Sequence, residues 1–361
     1  MIGLVVHDSL AEKSLSSSVE KKLEKVVTDT MDTYHVPGAV IGVWVAGSQP
    51  WLMASGVANI ATSRPVKTTD KFRIASITKT FTATVVLQLV DEGKLDLDAS
   101  PVRYLGGMPQ AAGVTIRQLL NHTSGLFDYL EDPNYLETAM KQPLRKWQPQ
   151  ELLDFAFAHQ PYFAPGQGWH YSNTNYIILG MLIEKVTGHK LKQELDGRIF
   201  KPLMLDNTTF ETTPYIEGDH ADGYADIDGD GWLDDITRND PSKGWAASAI
   251  SSRLDDLKVW AKTLAEGHML SAQSHRLQLQ WVPTIKDSDY LKYGLGIENI
   301  AGLIGHEGDA FGYNCSMYYL PSNGATIVVL LNAGFVNGNP ADTIMMGLAR
   351  VLFPDQVNVL Y

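Results

Sequence analysis

Apolar residues recur at helical spacing in the first patterned segment of the chain. Val19, Leu23, Val26, Val27 and Met31 share one face of residues 17–33, behind a serine cluster suited to capping. The pattern then changes period. After the break at Pro37-Gly38, residues 39–46 and 51–59 read as two strands joined by Gly47-Ser48-Gln49-Pro50, a hairpin. Helical spacing returns near 76–92, 149–159, 173–187, 190–200 and 253–266. Pro149 stands where a helix start tolerates it, and Gly93, Gly188 and Gly267 stand where helices stop. Strand character reappears at 293–297, 312–320 and 326–332, and Pro340 opens a last helix through Leu352. Strands at both chain ends with helices between predict an α/β (α+β) protein: one sheet completed by the two termini, with a mostly helical lobe inserted in it. Loops at 121–147 and 205–250 are long enough to line a site.

Composition narrows the functions open to such a fold. A chain of 361 residues exceeds the usual single core. Forty-one acidic against 29 basic residues give a net charge of -12, which opposes a phosphate backbone, so nucleic acid is not an expected partner. The single cysteine, Cys315, rules out an intrachain disulfide framework and a cysteine zinc cluster, and reads as a small buried hydrophobe. No stretch approaches the roughly 20 apolar residues of a transmembrane helix. The apolar start Ile2-Gly3-Leu4-Val5-Val6 is cut off by His7 and Asp8, too early for a signal-peptide core, so the chain reads as a mature or trimmed form.

Three short motifs carry candidate chemistry. Ser76-Ile77-Thr78-Lys79 follows a strand-like stretch and opens an apolar helix, so Lys79 lies one turn above Ser76 and can reach its hydroxyl. A serine hydroxyl is a weak nucleophile until an adjacent base takes its proton. Read alone, the same letters also fit Ser76 as a helix cap and Lys79 as a solvated charge. Tyr171-Ser172-Asn173 sits at the start of the 173–187 helix; a phenol beside an ammonium favours its ionised form and can act as a base, and Asn173 can fix the lysine and a substrate amide. A tyrosine packed under a loop, with Asn173 as cap, is the plainer alternative. His306-Glu307-Gly308 reads as part of an edge strand beside the nucleophile. His306 would donate to substrate or leaving group, and Gly308 would clear space for the substrate backbone.

These motifs, in this order and at about this spacing, resemble the penicillin-recognising serine hydrolases. The branch is that of class C β-lactamases, DD-carboxypeptidases, D-aminopeptidases, D-amino-acid amidases and β-lactamase-like esterases. The likeness extends over 74–97, over Thr115-Ile116-Arg117-Gln118-Leu119-Leu120-Asn121-His122-Thr123-Ser124-Gly125-Leu126, and over 171–188, and covers roughly residues 20–350. Tyr171-Ser172-Asn173-Thr174-Asn175 and 245–252 are most similar to secreted DD-carboxypeptidases. The resemblance implies an antiparallel sheet lobe from 1–72 plus 245–361, flanked by terminal helices. A helical lobe, 73–244, would be inserted, with the site where the lobes meet. It implies an acyl-enzyme on Ser76, with Lys79 and Tyr171 handling protons and Asn173 as a substrate and lysine ligand. His306 would be the third-motif group, the backbone N–H groups of Ser76 and Asp309 the oxyanion hole, and Trp245 a part of the pocket. No cofactor is expected. The ligands implied are small molecules or short peptides, β-lactams among them, in an exported enzyme acting on bonds next to D-residues; ester hydrolysis, β-lactam hydrolysis and a silent penicillin sensor are the alternatives.

Two departures bear on specificity. Where the carboxypeptidases hold a hydroxyl and an arginine for a substrate carboxylate, this chain has Glu307 and Glu298, which would repel one if they face the pocket. The acidic run Asp226-Ile227-Asp228-Gly229-Asp230-Gly231 has the opening of a calcium loop but lacks its final glutamate, and reads better as a hairpin tip. The remaining histidines show no zinc spacing. Phe127, Tyr129, Trp169, Trp232 and Trp245 are candidate pocket aromatics.

Overall fold

The computed structural model describes residues 14–285, 290–310, 312–334 and 338–357. Helix α1 (Ser17–Tyr34) starts where Ser16 accepts the Val19 N–H and buries Leu23, Val27 and Met31, the stripe its spacing predicts. That stripe packs beside the last long helix, Pro340–Leu352, and on one face of the sheet. A Cβ on Gly347 would lie 2.6 Å from Val26, so the close approach of the two helices needs glycine there.

The sheet takes its strands from both ends of the chain, as the pattern requires. Strands β1 (Gly38–Trp44), β2 (Trp51–Asn59) and β3 (Arg64–Pro65) come from the first part. β4 (Val282–Pro283), β5 (Leu291–Tyr293), β6 (Glu298–Ile300), β7 (Leu303–Ala310), β8 (Tyr313–Leu320) and β9 (Ala325–Leu331) come from the last. Their order is β3-β2-β1-β9-β8-β7-β6-β5-β4, and the register pairs are antiparallel throughout. All seven residues of β1 and of β9 are buried, because helices cover both faces there.

Two sequence expectations change here. Residues 293–297 are not one strand: β5 ends at Tyr293, and Gly294 N–H donates to Ile297 O at 2.8 Å across a turn with Gly296 at φ +76°. Leu295 and Ile297 are buried because this turn presses on the distant helix Thr78–Asp91, where a Cβ on Gly296 would strike Ala83. Nor is the histidine motif on an edge strand. β7 lies between β6 and β8, but β6 pairs with it only as far as Glu298 opposite Gly305. Among the described residues, 306–310 therefore have no strand partner on that side, so the motif lies on a locally open stretch of an inner strand.

Under the other face lies α2 (Thr78–Asp91), buried almost all round, as befits a central helix. Trp260, on the helix Leu254–Glu266, stacks on Phe81 with ring centroids 4.1 Å apart, and its Nε1 donates to Thr80 Oγ1 at 2.8 Å, which fixes α2 against the sheet side. Helix Asn173–Thr187 packs on α2. Among the described residues no helix is long and apolar enough to cross a membrane. The acidic run is the loop of a hairpin, Tyr224–Ala225 against Asp234–Asp235, in which Asp226 accepts the N–H groups of Gly229 and Gly231 at 2.7 and 3.0 Å.

Candidate active site

The chain reaches Ser76 through a forced turn. Phe72–Arg73 is a short strand, Ala75 takes φ +48°, and Ala75–Ile77 wind one 3-10 turn before α2 begins. A left-handed alanine is strained, and the turn presents the serine at the mouth of a cleft. Lys79 Nζ donates to Ser76 Oγ at 2.9 Å, to Asn173 Oδ1 at 2.7 Å and to Ala247 O at 3.2 Å. Its side chain is fully buried. The helix-cap and solvated-charge alternatives for this pair are therefore gone. Burial lowers Lys79 to about 7, against the opposing pull of Asp128, Glu307 and Glu298.

Asn173 is oriented in turn, its Nδ2 donating to Asp128 Oδ2 at 2.8 Å. Asp128 was not singled out from the sequence, where one aspartate in a long loop carries no signal. Burial raises its carboxyl above the ordinary carboxylate range.

Tyr171 places a buried hydroxyl beside Ser76, with Lys79 Nζ 4.8 Å from its ring centre. His122 stacks against the same ring, centroids 4.3 Å apart. Its Nδ1 accepts the Ser172 N–H at 3.1 Å, and burial together with Lys79 keeps the imidazole neutral. His122 stood in the sequence only as part of a family likeness. The expected ionised phenol is corrected: burial, reinforced by Glu307, pushes Tyr171 well above its ordinary value, which favours the neutral phenol despite the neighbouring lysine.

The third motif differs more from expectation. His306 is fully buried behind the cleft. Its Nδ1 donates to Glu307 O at 2.5 Å, which fixes the tautomer, and Nε2 accepts from Tyr293 Oη at 2.8 Å. Burial and Lys79 lower it to about 3, so it holds Tyr293 as a neutral ring rather than touching the cleft. Gly308 clears space for the chain itself, where substrate backbone was expected: a Cβ there would lie 2.5 Å from Ile74 O and 3.0 Å from Ser76 N. Asp309 follows on the open edge of β7.

Glu298 and Glu307 are not a repulsive pair aimed at substrate. The Glu298 carboxylate accepts from Tyr318 Oη at 2.6 Å and from Glu307 N–H at 3.3 Å, standing in for the β6 residue that would have continued the ladder. Glu307 borders the cleft, but its carboxylate turns to Asn339 Nδ2 at 3.3 Å. Burial raises both carboxyls, Glu298 to about 7. Trp245 is also outside: with φ +38° it packs against Gly180 and lines a separate recess with Trp147 and Phe210. Of the candidate aromatics only Tyr129 borders the cleft, a cavity of about 420 Å³ over Ser76, Tyr171, Asn173 and Asp309.

A profile described as Beta-lactamase matches residues 23–346. The chain belongs to the beta-lactamase family. Within it, the chain is 28% identical over 298 residues to a penicillin-binding protein of Bacillus subtilis, covering 77% of this chain and 64% of that one. It is 27% identical over 322 residues to a D-aminopeptidase of Brucella anthropi, covering 86% and 59%. The chain thus spans about three fifths of the length of these curated relatives. Solved structures agree over nearly whole chains. A D-stereospecific amidohydrolase from Streptomyces sp. superposes with TM-score 0.84 at 29% identity, covering 94% of this chain and 99% of that one. A D-amino acid amidase from Ochrobactrum anthropi SV3 gives 0.81 at 27%, with the same coverage.

Proposed function

We propose that this chain hydrolyses amide or peptide bonds next to D-amino acids through an acyl-enzyme on Ser76. The observation that carries the reading is the buried contact of Lys79 Nζ with Ser76 Oγ at 2.9 Å, in a site where burial lowers Lys79 to about 7. A neutral Lys79 takes the serine proton as Oγ attacks the carbonyl. The oxyanion forms between the N–H groups of Ser76 and Asp309, which Gly308 brings together by letting β7 lie against the Ser76 turn. Tyr171, still protonated, gives its proton to the leaving amine and regains one from Lys79. Water then releases the acid.

The D-preference is supported by the relatives named D-aminopeptidase and by the D-stereospecific amidohydrolase and D-amino acid amidase folds. The test is turnover of matched D- and L-amino-acid amides with chiral analysis of the acid released, and intact mass of the protein during turnover. A D-acid product with the acyl mass on wild type and none on Ser76→Ala is expected. Equal turnover of both enantiomers, or activity persisting in Ser76→Ala, overturns the reading.

A further inference from the structure

One wall of the cleft takes no part in acyl transfer. It is built by Leu130, by Leu136 and Met140 from the helix Pro133–Lys141, and by Ile227 from the acidic hairpin loop. On that helix Tyr135 and Ala139 are buried, so Leu136 and Met140, four residues apart, form an adjacent stripe over the cavity. Leu136, Met140 and Ile227 remain 46%, 45% and 44% exposed. Single exposed apolar residues are ordinary on protein surfaces. Here three from two distant segments converge on the cavity that holds Ser76. The space also runs on, since an adjoining recess of about 240 Å³ shares Ala139, Met140, Ile227 and Lys243 with the cleft.

We propose that this wall is the subsite for a large apolar side chain on the acyl residue of the substrate. The proposal rests on the amide-hydrolysis reading: an amide that releases ammonia offers the cleft no sizeable group other than its acyl residue. The family chemistry leaves open which D-residue is taken. The wall selects residues of leucine or phenylalanine size over D-alanine, because their larger apolar surface can be taken out of water against Leu136, Met140 and Ile227.

The experiment is kcat/KM on the amides of D-alanine, D-valine, D-leucine and D-phenylalanine. In parallel, acylation by p-nitrophenyl acetate, butyrate and hexanoate is followed. Each buried CH₂ is expected to raise kcat/KM by ~4-fold, so D-leucine amide should exceed D-alanine amide by at least ~10-fold. Met140→Asp and Ile227→Asp, both at exposed positions, should collapse that ratio. Met204→Asp, exposed on a loop outside the cleft, should leave it unchanged. Flat ratios in both substrate series overturn the subsite, as does an unchanged ratio in the two cleft variants. If no D-amide is cleaved but hexanoate outpaces acetate, and Met140→Asp removes the difference, the subsite stands and the amide reading falls.

Discussion

Lys79 Nζ lies 2.9 Å from Ser76 Oγ, and the lysine side chain is closed off from solvent. A base so placed works only when neutral. With Lys79 lowered to about 7, kcat/KM should rise as pH passes through that value and then level off. Lys79→Ala and Tyr171→Phe should each lower acylation by at least ~10²-fold, and the double variant should lose little more, because the proposed mechanism passes one proton through both. Losses that multiply in the double variant would separate them, and a profile flat from about pH 5 to 9 would remove Lys79 as the base.

The same burial sets a sign for stability. Unfolded, the lysine binds its proton up to its ordinary value of 10.5; folded, it releases it at about 7. The wild type therefore carries the full cost below about 7 and sheds it as pH rises toward 10.5. Lys79→Met has no such cost. The melting temperature of Lys79→Met minus that of wild type should be largest at low pH and shrink on going above about 7. A difference that grows with pH would mean that the lysine is not charged at a cost when folded.

Glu298 and Asp342, the latter on the helix Pro340–Leu352 with its carboxylate accepting from Ser316 Oγ, carry the opposite sign. Burial raises each to about 7, from ordinary values of 4.5 and 3.8. The unfolded chain ionises them first, so stability should fall as pH rises from those ordinary values to about 7. Glu298→Gln keeps the acceptor for Tyr318 Oη and removes one ionisation. Its melting temperature should decline less steeply over that range than the wild-type one, and parallel declines would place the ionisation elsewhere.

Gly308 tests the approach of β7 to the nucleophile. Gly308→Ala puts a methyl group 2.5 Å from Ile74 O, a backbone atom that cannot step aside without moving the Ser76 turn. Acylation should fall by at least ~10²-fold, on the scale of losing one oxyanion donor. Gly197→Ala, where nothing lies within 4 Å of the new Cβ, should leave it intact. Unchanged acylation in Gly308→Ala would show that the oxyanion donors are set by something else.

The pairing of Ser76 with Lys79 could be read from the sequence because a helix turns a spacing of three into a contact. The last long helix could be read to its final residue, since Pro340 starts it and its apolar stripe defines its face. What failed was long-range. The 293–297 segment alternates like a strand, yet its two glycines make a turn whose burial comes from α2, far away in sequence. Glu298 and Glu307 looked like charges at a pocket because sequence carries no hint of Tyr318 and Asn339, which hold their carboxyls. Tyr171 was read with the right neighbour and the wrong protonation. Local reasoning included the lysine charge, but the desolvation that outweighs it belongs to the assembled core.

The open stretch of β7 has a consequence for the company this protein keeps. An unpaired strand edge invites strands from other chains, and proteins blunt such edges by making them short. Here the gap begins where β6 stops at Glu298 and ends within residues 306–310, and the carboxylate of Glu298 already occupies its first donor. Beyond Glu307 only residues 308–310 of the strand follow, fewer than the run of residues by which strands of separate chains register on an edge. A stretch that short resists the edge-to-edge aggregation that a longer edge would seed.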